Sequence, residues 1–107
     1  MKVSYHPEFA QDVVRFAEQY GGISPKLEAR FRMDVDDALA RIKADPTAGG
    51  HFLNTGSSIV TDVRRRNLVS FPYFVLYGLH GDLMVFGALI AGASDPLTWL
   101  DRFSKTA

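Results

Sequence analysis

An α+β fold is what this sequence predicts: a helical hairpin packed on a small, mostly antiparallel four-stranded sheet, in the order β-α-α-β-β-β, with a short C-terminal helix. Three observations carry that expectation. Two amphipathic stripes at helical spacing fill the first half of the chain, three extended segments fill much of the second, and a short extended stretch precedes both. At 107 residues the chain has room for one domain, spanning 1–107, and a modest core.

Lys2-Val3-Ser4-Tyr5 is read as a first strand, and Pro7 suits the first turn of the helix that follows. From Glu8 the apolar residues Phe9, Val13, Phe16, Ala17 and Tyr20 recur at steps of three and four, and Gly21-Gly22 ends that stripe. Ser24 is the expected N-cap of a second helix, with Pro25 at its first position. Its apolar face is Leu27, Phe31, Val35, Ala38, Leu39 and Ile42, and Asp45-Pro46 stops it. A short connection makes the two helices antiparallel. Thr47 to Ser58 reads as loop. Ile59 to Arg66 alternates as a strand, with Val63 and Arg65 on one face and Asp62, Arg64 and Arg66 on the other. Phe71 to Tyr77 and Leu83 to Ile90 pair as an antiparallel hairpin around Leu79-His80-Gly81-Asp82. Asp95 to Phe103 supplies a terminal helical turn or two.

Composition narrows the class. With 47% hydrophobic and 22% charged residues the chain is globular, and no apolar run approaches the roughly 18 residues of a spanning helix. A cytoplasmic protein without membrane partners is expected, since the N-terminus lacks the apolar segment of a signal peptide. Zero cysteines remove disulfides, thiolate metal sites and cysteine nucleophiles together. Formal net charge is zero, so affinity for an anionic partner has to come from local clustering. Neither half is a basic arm: residues before Asn54 include seven basic and eight acidic, those after it five and four.

That clustering occurs at Arg64, Arg65 and Arg66, beside Tyr73 and Tyr77 on the next strand. Arg64 and Arg66 share a face about 7 Å apart, the two-residue spacing of a strand, so a phosphate could be held between them. The triplet also fits a solvated strand edge pairing with Asp62, Asp82 and helix carboxylates, and the tyrosines also fit packing with a polar tip. These five are the candidate target-facing or anion-binding residues. No catalytic set emerges. His6, His51 and His80 lack ligand spacing, so no metal is expected; Asp34, Asp36 and Asp37 read as solvated helix surface. Ser57, Ser58 and Ser94 have no nucleophile partners. The glycines do not form a phosphate loop, and no cofactor is implied.

Taken in order, several pieces resemble the RelE/ParE superfamily of toxin–antitoxin toxins over essentially the whole chain. They are His6-Pro7-Glu8, the helix pair ending at Asp45-Pro46, the arginine-rich strand, Phe71-Pro72-Tyr73 with Tyr77, and Asp95-Pro96 with Trp99 and Arg102. The resemblance implies a toxin of the kind linked to plasmid stabilisation and growth inhibition, neutralised by an antitoxin whose amphipathic segment wraps over it. It also implies one of two targets. RelE-like members cut messenger RNA on the ribosome with basic residues and a tyrosine; ParE-like members poison DNA gyrase and lack that set. Here Phe74 stands where the ribonucleases usually carry an arginine after the third-strand aromatic. Ala91-Gly92-Ala93-Ser94 replaces their basic cluster after the fourth strand, and Trp99 and Phe103 are the nearest aromatics to their C-terminal tyrosine. RNA cleavage needs a base, a proton donor and a cation for the phosphorane charge, and only the cation is left. The resemblance therefore implies gyrase before the ribosome, nucleic acid only indirectly, and binding before catalysis. A non-toxic module that holds an antitoxin remains the third reading.

Overall fold

The computed structural model describes residues 1–48, 50–51, 62–94 and 101–104. Strand β1 (Lys2–Tyr5) leads into helices α1 (Pro7–Gly21) and α2 (Pro25–Ala44), followed by a 3₁₀ turn (Pro46–Ala48) and β2 (Gly50–His51). Strands β3 (Asp62–Asn67), β4 (Tyr73–His80) and β5 (Leu83–Ala91) come next, then helix α3 (Asp101–Ser104). The sheet runs β1-β5-β4-β3-β2, with β1 parallel to β5 and the other neighbours antiparallel. The order expected from the sequence holds. Its one addition is β2, a two-residue strand on the outer edge of β3, in a stretch that reads as loop.

Both helices start as their sequences require. Ser24 Oγ accepts the Leu27 N–H at 3.0 Å, leaving Pro25 at a position that needs no donor. For α1 the cap is His6, whose Nδ1 accepts the Glu8 N–H at 3.1 Å. Ser24→Ala is expected to lower stability by about 1 kcal/mol, a fall of roughly 4 °C in Tm by calorimetry.

Two boundaries differ from the sequence reading. β4 begins at Tyr73, not Phe71, because Pro72 has no N–H for a ladder and the preceding turn closes on itself through Leu68 N–H to Tyr73 O at 2.9 Å. The hairpin turn shrinks to Gly81-Asp82. Gly81 has φ +57°, at the position a two-residue type II′ turn reserves for glycine.

β4 and β5 are buried on both faces, so they read as almost continuous apolar runs. One layer lies under the helices and includes Phe9, Phe31, Val35, Tyr77, Phe86 and Leu89. The other, on the far side of the sheet, joins Val63, Phe74, Leu76, Ala88 and Ile90 to Phe103 of α3. The phase of β5 changes between them. Leu76 pairs with Ala88 but Tyr77 pairs with Phe86, so Gly87 is an extra residue, a β-bulge. Met84 and Phe86 therefore face the helices, and beyond the bulge Leu89 and Ala91 do. A Cβ at Gly87 would stand 2.5 Å from the Phe103 ring, which is why the bulge carries no side chain.

Candidate target-facing surface

Strand β3 sends its arginines to different places. Arg64 lies opposite Tyr77, and Arg66 opposite Val75, on the helix side of the sheet. Arg64 Nε pairs with Asp62 Oδ2 at 3.2 Å, and its Nη1 donates to the Thr47 carbonyl at 2.8 Å. The Tyr77 hydroxyl donates to the next carbonyl back, that of Pro46, at 2.6 Å. Together this cross-strand pair clamps the 3₁₀ turn after α2 onto the sheet. Tyr77 is fully buried and the Arg64 side chain is 17% exposed.

Arg65 points to the opposite face. Its guanidinium sits 3.8 Å from the centre of the Phe74 ring, and Nη2 donates to Asn67 Oδ1 at 3.0 Å. Arg66 is half-buried, and its guanidinium makes no hydrogen bond or ion pair with the described residues.

Tyr73 belongs to an aromatic cluster. Its ring packs against Phe16 and Phe31, and its hydroxyl shares a hydrogen bond with Tyr20 Oη at 3.3 Å. Burial, and then the Tyr20 hydroxyl, push its pKa up to about 12, so it is a neutral phenol at physiological pH and no general base. The sign of the linkage follows. An acid whose folded pKa lies above its unfolded value of about 10 stabilises the fold fully below pH 10 and loses that contribution as pH rises towards 12. Denaturant midpoints between pH 9 and 12 are expected to show up to about 2 kcal/mol of this loss, reduced in Tyr73→Phe. The five candidates thus do not converge on one point: Arg64 and Tyr77 hold a turn, Tyr73 joins the core, and Arg65 and Arg66 face opposite ways.

Two carboxylates carry roles that the sequence reading did not assign. Asp34, expected at the solvated surface, is only 7% exposed, and its Oδ2 accepts the Ser70 and Phe71 N–H groups at 3.0 Å each. It fixes the turn between β3 and β4. Asp12 is 2% exposed. Its Oδ2 accepts the Leu89 N–H at 3.1 Å and Arg102 Nη1 at 2.8 Å, while the same Nη1 reaches the Gly87 carbonyl at 2.9 Å. β1 pairs with β5 only as far as Phe86, and beyond it Asp12 and Arg102 occupy the polar groups of the β5 edge. The signal was legible: Asp12 lies three residues after Phe9 and four before Phe16, inside the buried stripe.

The outer side of the helical hairpin is more open and more apolar. A groove of about 270 Å³ is lined by Tyr5, Phe9, Val13, Val14, Val35 and Leu39, with Arg32 and Asp36 at its rim. A second hollow of about 320 Å³ shares Ala10 and Val14 with it and runs along α1 to Arg15 and Glu18. Val3, Tyr5 and Val14 are 40%, 46% and 42% exposed. This is a band of apolar surface from the β1 edge across α1. Among the described residues, no three His, Asp or Glu side chains converge as a metal site would need, and no helix is long and apolar enough to cross a membrane.

No protein-family model and no curated protein sequence matches this chain. Among solved structures, a chain described as "Chromosomal ParDE TA system from P. aeruginosa" superposes with a TM-score of 0.68 at 16% identity, covering 85% of this chain and 95% of that one. The chain shares its fold with that component of a ParDE system, the ParE-like architecture that the sequence resemblance implies.

Proposed function

We propose that this protein is the toxin of a type II toxin–antitoxin pair. A small antitoxin protein holds it through the apolar band across α1 and the helical hairpin, and it arrests growth by binding an essential target, DNA gyrase before the ribosome. The observation that carries the reading is the combination of the ParDE-like fold with that open groove, whose apolar lining suits one face of an amphipathic helix. Among the described residues no nuclease constellation comes together, which supports binding over catalysis. Phe74 packs on the far face of the sheet beneath Arg65, Tyr73 is a buried neutral phenol, and Arg64 is engaged with Asp62 and Thr47. A cation alone does not activate a 2′-hydroxyl.

Induction of this chain alone in a bacterial host tests the reading. Growth arrest with altered DNA supercoiling and continuing translation is the expected result, relieved by co-expression of the neighbouring small open reading frame. Immediate loss of translation would transfer the target to the ribosome. Unimpeded growth, with the partner still bound, would make the chain a non-toxic antitoxin-binding module.

A further inference from the structure

One cleft differs from the others in its charge. The hollows beside α1 and α2 each combine an arginine with carboxylates: Arg41 with Asp34 and Asp37, Arg15 with Glu18, Arg32 with Asp36. Among the described residues, the cleft at the β3–β4 turn, about 210 Å³, is lined by Arg65, Asn67, Leu68, Phe71, Pro72, Tyr73 and Gly92, none of which is a carboxylate.

Its polar groups are donors held in place. Phe74 covers one face of the Arg65 guanidinium, and Asn67 Oδ1 takes one of its N–H groups. Stacking and that hydrogen bond immobilise the fork, so little side-chain entropy is left to lose on binding. Arg65 keeps further N–H donors, and with its Oδ1 engaged the Asn67 amide has two of its own. Gly92 adds no side chain, its N–H being used on the Pro72 carbonyl at 2.8 Å.

We propose that this cleft is a binding site for a single carboxylate presented by a protein partner, with Arg65 and Asn67 as its donors. The volume is below that of sites for whole small molecules, and suits a group of carboxylate or phosphate size. Charge favours a protein source. Nucleic-acid affinity accumulates over several phosphates, and this chain has zero net charge, with Arg66 on the opposite face and Arg64 already paired. One preorganised arginine meets one acidic side chain or C-terminus.

The site is independent of the toxin reading, because it is tested on the purified chain with small probes. N-acetylglutamate amide titrated into labelled protein is expected to shift the Arg65 Nε–H and Asn67 side-chain amide resonances saturably. Arg65→Gln is expected to abolish the response. Arg65→Lys keeps the charge without the fork and should weaken binding ~10-fold. Arg66→Gln should leave it within about twofold, since that guanidinium lies on the other face of the strand. Lack of a saturable shift overturns the proposal, as does equal loss in Arg66→Gln, which would mean a diffuse field. A short single-stranded oligonucleotide binding more tightly than the carboxylate, and through Arg65, would overturn the protein assignment and make the ligand a nucleic-acid phosphate.

Discussion

Asp12→Ala is expected to lower the free energy of unfolding by about 3 kcal/mol, the low end of the cost of breaking a buried ion pair, since Glu8 still partly compensates the Arg102 charge. The carboxylate is 2% exposed and serves the Arg102 guanidinium and the Leu89 N–H at once. Its removal takes the shortest ion-pair contact from a cation that is itself only 13% exposed, leaving Glu8 Oε2 at 3.6 Å from Arg102 Nε, and opens a backbone donor on the β5 edge. Urea unfolding checks this, with Asp12→Asn as the milder companion. Arg102→Ala supplies the second arm of a double-mutant cycle, and a strong positive coupling is expected because the two residues share one network. Against a total stability of typically 5–15 kcal/mol, the Ala variant should lie near the limit of folding at 37 °C. A loss under ~1 kcal/mol would mean that the pair contributes as an exposed ion pair does.

Val14→Asp should have its effect on the partner. Val14 is 42% exposed and lies where the two hollows along α1 meet, so an aspartate there leaves the fold intact but places a charge in apolar surface. A centrally buried contact in an interface is worth about 2 kcal/mol or more, and an unpaired charge adds to that, so antitoxin affinity should fall ~100-fold or further. Calorimetric titration with the co-purified antitoxin measures it. In cells, the variant should remain toxic while escaping neutralisation. Unchanged affinity with an unchanged fold would move the antitoxin interface away from α1.

Most of this architecture was legible in the residues because local signals agreed with the global fold. Ser24-Pro25 set the start of α2, the stripe from Phe9 to Tyr20 set the buried side of α1, and the aromatic runs set β4 and β5. The misreadings have a common cause. Asp34 looks solvated by type, and only tertiary placement supplies the backbone N–H groups that hold it inside. The arginine triplet was visible as a cluster, but strand alternation separates it, and the carbonyl that takes Arg64 comes from 17 residues away. Phe71 reads as strand by propensity, whereas Asp34 captures its N–H and Pro72 bars the ladder. Asp95 to Leu100, including Trp99, and the serines Ser57 and Ser58 lie outside the described residues.

The extra residue at Gly87 makes the length of β5 a carrier of information that its composition does not hold. If that glycine were instead paired opposite Leu76 and the strand ran on regularly, Met84 and Phe86 would keep their places under the helices. Leu89 and Ala91 would swap layers with Ala88 and Ile90, and the Leu89 N–H would turn away from Asp12. Every residue exchanged is apolar, so hydropathy along the strand would hardly register the change. The register of the chain here counts for more than the identity of its letters: a one-residue slip of the pairing beyond the bulge should be harder to tolerate than several simultaneous aliphatic exchanges at the same positions.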